Sequence, residues 1–309
     1  MDKSRIWLTG TTGFIGRHLV KALKSPQVDV TCFTQKFEEL QDLPDENLPV
    51  ILDYLNPSDI EEKVKQFGLP DMLIHLGWGE MTSPESSFHL NNNVVIGKNL
   101  IEGLFKLGLK KVIFIGSMNQ YGDRSGILSE DMAPQGRLTN YAKAKGEVEK
   151  LGFQAAKIYN KTFISVRTFY VFGSGQRQGS LINDLFQAHL KGTSVNLSPC
   201  EHYRDYIHVS DVVEGLKRIS AINQSTIVNL GSGKVVKLKD FVIDFWMKMG
   251  GDIAKLKFGT KSLLPGEPEQ PKSYADLTHL KKLTQWQPQL TLEEGILKTI
   301  ENLYANVAQ

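Results

Sequence analysis

Three glycines at one spacing constrain this chain more than any other feature. Ile6-Trp7-Leu8 is a short apolar run with the composition of a buried strand, and Thr9-Gly10-Thr11-Thr12-Gly13-Phe14-Ile15-Gly16-Arg17-His18-Leu19-Val20 follows it directly. The glycines at 10, 13 and 16 make a G-x-x-G-x-x-G loop between that strand and an amphipathic helix expected to reach about Leu23. Glycine lets the backbone turn tightly and approach a phosphate, and a helix N-terminus offers free N–H groups and the positive end of its dipole. Standing alone, such a motif is weak. With a strand before it and a helix after it, it predicts a dinucleotide site.

The first half of the chain then alternates strand and helix. Strands are expected at Val28–Phe33, Pro49–Leu52, from Asp71 into the loop His75-Leu76-Gly77-Trp78-Gly79, and at Lys111–Ile115, with a sixth at Thr162–Arg167. Helices are expected at Asp59–Phe67 and from about Ser87 to Leu107, the latter carrying Asn91, Asn92 and Asn93 in its early turns. Alternation of this kind predicts a parallel sheet covered on both faces, with ligands at the carboxyl ends of the strands. Gly10, Thr34, Asp53, Gly77 and Ser117 all fall at such ends. An acidic side chain closing the second strand binds the ribose 2′-hydroxyl of NAD and repels the 2′-phosphate of NADP. Here Thr34-Gln35-Lys36 supplies a hydroxyl and a cation, which favours NADP; a solvated loop charge is the alternative for Lys36. Asp53, followed by Tyr54, could accept a hydrogen bond from the adenine amino group, and His75 is read as a satisfied core histidine.

Thr139-Asn140-Tyr141-Ala142-Lys143-Ala144-Lys145 carries the chemistry. Tyr141 and Lys145 stand four apart, so in a helix both fall on one face. A phenol with a reference pKa of about 10 moves protons poorly at neutral pH. A neighbouring ammonium favours the phenolate and makes the pair a usable general acid/base.

Composition narrows the class. The 309 residues are 23% charged with a net charge of +2, which implies neither a nucleic acid nor a membrane surface as partner. Cys32 and Cys200 make no disulfide framework and lack metal-ligand spacing, so no metal is expected. No signal peptide fits the N-terminus and no apolar run approaches 18 residues, which makes a cytoplasmic protein the expectation. Farther on, Gly173–Gly179 is expected to be a mobile loop. Helices are expected at Ser180–Leu190, at Val209–Ser220 with Ser210 as N-cap, at Leu238–Met249, at Asp276–Leu283 and at Leu292–Tyr304, with a strand at Thr226–Leu230. The segment 260–275, with Pro265, Pro268 and Pro271, is expected to be a loop.

Taken together, these motifs resemble the nucleotide-sugar branch of the extended short-chain dehydrogenase/reductase family. The resemblance rests on Thr-Gly-Thr-Thr-Gly-Phe-Ile-Gly at 9–16, His-Leu-Gly at 75–77, Gly-Ser-Met-Asn-Gln-Tyr-Gly at 116–122 and Tyr141/Lys145. Val166-Arg167 with Val171-Phe172-Gly173, Arg204-Asp205-Tyr206-Ile207-His208-Val209-Ser210-Asp211, Val228-Asn229-Leu230-Gly231 and Trp286-Gln287-Pro288 extend it over essentially the whole chain. It implies an α/β fold: a Rossmann doubly wound parallel sheet with a smaller C-terminal substrate-binding domain. Residues 1–172 with about 205–231 would bind the dinucleotide, and 173–204 with 232–309 the nucleotide sugar. The implied catalytic residues are Ser117, Tyr141 and Lys145. The implied cofactor contacts are Gly10, Thr12, Gly13, Phe14, Ile15, Gly16, Thr34, Lys36, Asp53, Tyr54, Leu76, Gly77, Tyr170, Tyr141 and Lys145. Trp78, Met118, Asn119, Arg177, Arg204 and Lys272 would meet the substrate, with Arg204 gripping its diphosphate bidentately. An internal salt bridge to Asp205 is the alternative for Arg204. By analogy the helices near 87–107 and 139–160 would pair in a homodimer.

Three departures bear on the reaction. Related 4,6-dehydratases carry Asp and Glu after their catalytic Thr, where this chain has Met118 and Asn119, and neither of these moves a proton. Thr34-Gln35-Lys36 suits an enzyme that takes up NADPH and releases NADP. Many 4-epimerases carry Asn where Tyr170 stands here. The expectation is reduction of a nucleoside-diphosphate 4-keto-6-deoxyhexose at C4, with a 4-epimerase holding NAD as the first alternative and a non-catalytic dinucleotide-binding protein as the second.

Overall fold

The computed structural model describes residues 3–34, 50–51, 57–262 and 272–307. Lys36, Asp53, Tyr54 and the prolines Pro265, Pro268 and Pro271 lie outside the described residues.

The apolar runs of the first half form one sheet. Its strands are β1 (Ser4–Thr9), β2 (Val28–Thr34), β3 (Val50–Ile51), β4 (Met72–His75), β5 (Lys111–Ser117), β6 (Thr162–Thr168) and β7 (Thr226–Leu230), in the order β7-β6-β5-β4-β1-β2-β3. The pairings that join β1 to β6 are all parallel. Strands buried on both faces read as continuous apolar runs rather than alternating ones, and β4 is buried at every position. The chain lays β1, β2 and β3 outward and then returns to place β4 on the other side of β1. That reversal is a topological switch point, where doubly wound sheets bind ligands. Thr9, at the end of β1, pairs with Phe33 on one side and His75 on the other.

Helices α1 (Phe14–Leu23), α2 (Pro57–Phe67), α3 (Val94–Lys106) and α4 (Asn140–Tyr159) belong with this sheet. Trp7, Phe33, Leu73, Phe114 and Phe163 from the strands pack with Ile60, Leu100, Leu104, Phe105 and Val148 from the helices in one buried core. Small residues set the spacing. A Cβ on Gly97 of α3 would come 2.9 Å from Val148 of α4, and one on Gly152 would strike the Phe163 ring at 2.2 Å.

The helix expected from Ser87 to Leu107 differs at its start. His89–Asn93 is a single π-helical turn, closed by the Val94 N–H donating to the His89 carbonyl, before α3 begins. The extra residue in that turn is compatible with inward-facing polar side chains, and both His89 and Asn93 are buried.

The chain divides into two compact units. The first comprises Met1–Gly122, Ala133–Thr168 and Leu216–Asn229; the second comprises Asp123–Met132, Phe169–Gly215 and Leu230–Gln309. The second has its own core of Phe172, Leu185, Phe186, Phe241, Phe245, Trp246 and Ile296, with the Tyr206 ring stacked on Phe241 at 4.3 Å. Its strands are short pairs, such as Tyr170–Phe172 against Tyr206–His208. Two sequence expectations are corrected here. Ser210 lies inside the helix Val209–Ser220, and its N–H donates to Nδ1 of His208, so the imidazole accepts where a capping hydroxyl was expected. Ser273–Ala275, expected to be loop, is a strand paired in parallel with Gly126–Leu128. Among the described residues no helix is long and apolar enough to cross a membrane, and no three His, Cys, Asp or Glu side chains cluster to hold a metal.

Candidate active site

The glycine loop sits at the switch point. Gly10 has φ of +71°, and a Cβ there would come 2.7 Å from the Gly77 nitrogen, so the β1 and β4 loops approach as only glycine allows. On Gly16 a Cβ would meet the Gly10 carbonyl oxygen at 2.1 Å. Gly13 donates to that carbonyl at 3.1 Å and begins α1 with no side-chain cap and no acidic residue in the first turn. Phe14 and Ile15 open the helix, and Arg17 holds the Thr12 carbonyl at 2.7 Å. The Thr11 hydroxyl is buried here without a partner. An uncapped helix start, glycine cradles and an orphaned buried hydroxyl fit the diphosphate of a dinucleotide. Leu76 and Gly77 are tied back to β1, donating to the Thr9 carbonyl at 3.3 Å and to Thr9 Oγ1 at 3.1 Å. Thr34 closes β2 in a buried position.

Helix α4 brings Tyr141 and Lys145 together, as their spacing requires. Thr139 caps it, its Oγ1 accepting from the Ala142 N–H at 3.2 Å, and Tyr141 N–H donates to the Pro84 carbonyl at 2.8 Å. Lys145 is buried. Its Nζ donates to the Ile115 carbonyl at 2.7 Å and lies 5.8 Å from the centre of the Tyr141 ring. Burial pushes the Lys145 ammonium well below the ordinary lysine range. Trp78 is partly buried, its ring covering Lys145 Nζ at 3.7 Å and meeting Tyr141 edge-on at 6.1 Å.

Ser117 ends β5, two residues beyond the carbonyl that holds Lys145. Its Oγ accepts from the Asn119 N–H at 3.2 Å, capping the short 3₁₀ turn Met118–Tyr121 and leaving the hydroxyl hydrogen to donate. The Ser117 N–H is held by Gln120 Oε1 at 2.8 Å. Gln120 in turn donates to Glu149 on α4, which also accepts from Ser165 and, through both oxygens, from Arg167. Sequence reasoning missed this buried network under Ser117. Its signal was present: Tyr141, Lys145 and Glu149 repeat every four residues, on one face of α4.

His75 is half satisfied. Nδ1 pairs with Thr9 Oγ1 at 2.7 Å while Nε2 is buried with no partner. Burial first, and the Lys145 charge second, lower its pKa from 6.5 to about 3. Its folded pKa is depressed, so the folded chain refuses a proton that the unfolded chain takes. The stability this contributes is whole above pH 6.5 and is lost as pH falls toward 3, by about 1.4 kcal/mol per unit. Urea unfolding at pH 7 and pH 5 is expected to show that slope, and His75→Asn to flatten it.

The other residues expected to meet ligands lie in the second unit. The Arg204 guanidinium is buried, stacked on the Tyr170 ring at 4.4 Å, with one bond to the Tyr203 carbonyl. It does not pair with Asp205, whose oxygens accept from the Ser232 N–H and hydroxyl and from the N–H groups of Gly233 and Ala275. No carboxylate among the described residues neutralises Arg204. Tyr170, expected on the cofactor, carries the Arg204 guanidinium over its ring. Lys272 places Nζ 4.2 Å over the Tyr203 ring, and Arg177 is exposed in the loop before Leu181–Leu190.

Residues 6–231 match the NAD dependent epimerase/dehydratase family, which is most of the chain, and the chain belongs to that family of enzymes. Among its relatives is the UDP-N-acetyl-alpha-D-glucosaminuronate decarboxylase of Bacillus cytotoxicus, 27% identical over 97% of each chain. Another is the CDP-abequose synthase of Salmonella typhimurium, 24% identical over 97% of this chain and 99% of that one. The solved structure of MoeE5 with UDP-glucuronic acid and NAD matches with a TM-score of 0.82 and 25% identity, covering 98% of this chain and all of that one.

Proposed function

We propose that this chain is an NADPH-dependent reductase of the C4 ketone of a nucleoside-diphosphate 4-keto-6-deoxyhexose. One arrangement supports the reading: Lys145 Nζ lies 5.8 Å from the Tyr141 ring and bonds the Ile115 carbonyl, two residues before Ser117, and Met118 and Asn119, which move no protons, follow Ser117. The bound nicotinamide would supply a hydride to the sugar carbon. Tyr141 gives its proton to the oxygen that becomes the alcohol, and the Lys145 charge favours the phenolate left behind. Ser117 donates its free hydroxyl hydrogen to the same oxygen. That bond strengthens as charge develops, and a donor of this kind commonly lowers a barrier by about 3 kcal/mol. The glycine loop at 10–16 holds the dinucleotide diphosphate. Arg204, a buried cation that no carboxylate among the described residues neutralises, takes the diphosphate of the sugar nucleotide, with Arg177 and Lys272 as further cations of the same unit. We also take the protein to pair as a homodimer through α3 and α4, where Val95 and Ile158 are exposed.

Epimerisation at C4 is the second reading, supported by the UDP-glucuronate 4-epimerases among the relatives and by the NAD that MoeE5 holds beside UDP-glucuronic acid. Calorimetry separates the two. The expected result is an empty site as purified and at least tenfold tighter binding of NADPH than NADH; tightly retained NAD would favour the epimerase.

A further inference from the structure

Lys145 carries its ammonium into a buried place. It is 3% exposed, and no carboxylate among the described residues pairs with it. Glu149, one turn along α4, is occupied by Arg167, Ser165 and Gln120. What Nζ does have is one carbonyl, that of Ile115, and the face of an indole. Trp78 lies 3.7 Å away and Phe114 4.9 Å, and a desolvated cation over an aromatic face is held by the ring quadrupole.

The indole is itself held from behind. Trp78 Nε1 donates to His89 Nδ1 at 3.2 Å, and Asn93 Nδ2 donates to the same nitrogen at 3.1 Å. His89 Nε2 faces the Ser83 carbonyl at 3.0 Å, so its hydrogen is on Nε2 and Nδ1 is free to accept. Asn93 also clasps the residue after the tryptophan, accepting from the Gly79 N–H and donating to its carbonyl, both at 3.1 Å. His89 and Asn93 are the two ends of the π-helical turn. The turn that departs from regular helix is therefore the one that locks the indole at its nitrogen and at the following peptide.

We propose that Trp78 is the positioning residue for Lys145: its indole face, locked by His89 and Asn93, holds the ammonium beside Tyr141 in place of a carboxylate. This rests on the reading of Tyr141 and Lys145 as the acid/base pair. Among the described residues, the titratable groups near Lys145 are Tyr141 and Glu149 on α4, His75 on β4 and His89 on the π turn. β5 contributes the Phe114 ring and the Ile115 carbonyl.

The test needs neither substrate nor cofactor. Protein labelled with ¹³C at tyrosine Cζ reports each of the nine tyrosines, and Tyr141→Phe assigns the resonance of interest. Trp78→Leu leaves the ammonium unsupported, so the phenolate loses its neighbouring cation and Tyr141 is expected to ionise about one pH unit higher, a tenfold change. Trp78→Phe keeps an aromatic face and is expected to restore most of the shift. Trp78→Met, a flexible apolar filler, serves as the second variant if Leu does not fold. An unchanged Tyr141 titration in Trp78→Leu or Trp78→Met would overturn the proposal and leave the indole as packing. A protein that turns over no keto sugar, yet shows the shift, would sink the reductase reading and leave this one standing.

Discussion

Tyr141→Phe is expected to lower turnover by about 10²–10⁴-fold while leaving dinucleotide affinity within about twofold of the parent. The hydroxyl oxygen is the only heavy atom removed, and the hydroxyl is the group assigned to give the proton. A loss of that size corresponds to about 3–5 kcal/mol of barrier. The ring contacts survive the change: Trp78 at 6.1 Å and His89 at 5.4 Å meet the aromatic ring, which phenylalanine keeps. The unfolding temperature is therefore expected to stay close to that of the parent. Steady-state kinetics with calorimetry on the same preparation check both halves, and full turnover in the variant would remove Tyr141 from the mechanism.

The second large effect is on stability. Glu149→Ala is expected to cost about 3–5 kcal/mol, because it leaves a buried arginine without its counter-charge. Arg167 is held above the ordinary arginine range: burial opposes its charge, but the hydrogen bonds and charge of Glu149, with help from Tyr121, outweigh burial. Four donors converge on the Glu149 carboxylate, at 2.6 Å from Ser165 and Arg167 Nη2 and at 3.1 Å from Gln120 and Arg167 Nε. The first unit should then unfold roughly 6–20 °C lower in a calorimetric scan. Glu149→Leu with Arg167→Met is expected to recover much of the loss, since removing both charges avoids the orphan. Gln120 bonds both Glu149 and the Ser117 N–H, so turnover should fall in Glu149→Ala even at temperatures where it is folded. A destabilisation below about 1 kcal/mol would show that water replaces the carboxylate freely.

The parts legible in the sequence were those with a local cause. β1, β4 and β5 are apolar runs because a parallel sheet buries both faces, and Gly10 and Gly16 are glycine because a Cβ would strike backbone. The spacing of Tyr141 and Lys145 implies a shared helix face, and α4 supplies it. What stays hidden depends on contacts distant in sequence. The π turn at His89–Asn93 follows from bonds to Gly79 and Trp78, which a 3.6-residue periodicity does not encode. Glu149 reads as one more charge on an amphipathic helix until Arg167 and Ser165 come against it from β6. The strand Ser273–Ala275 is three residues long and exists through pairing with Gly126–Leu128, too short for any alternation to reveal. Trp78, expected as a wall for the sugar, covers Lys145 with its ring.

Net consumption of NADPH tests the central claim most directly. A nucleoside-diphosphate 4-keto-6-deoxyhexose is added to the protein with NADPH, absorbance is followed at the nicotinamide band, and the sugar products are resolved. The account predicts one NADPH oxidised for each ketone reduced, with a single stereoisomer at C4. No net oxidation of NADPH, together with interconversion of C4 epimers of a nucleotide sugar on protein-held NAD, would contradict it.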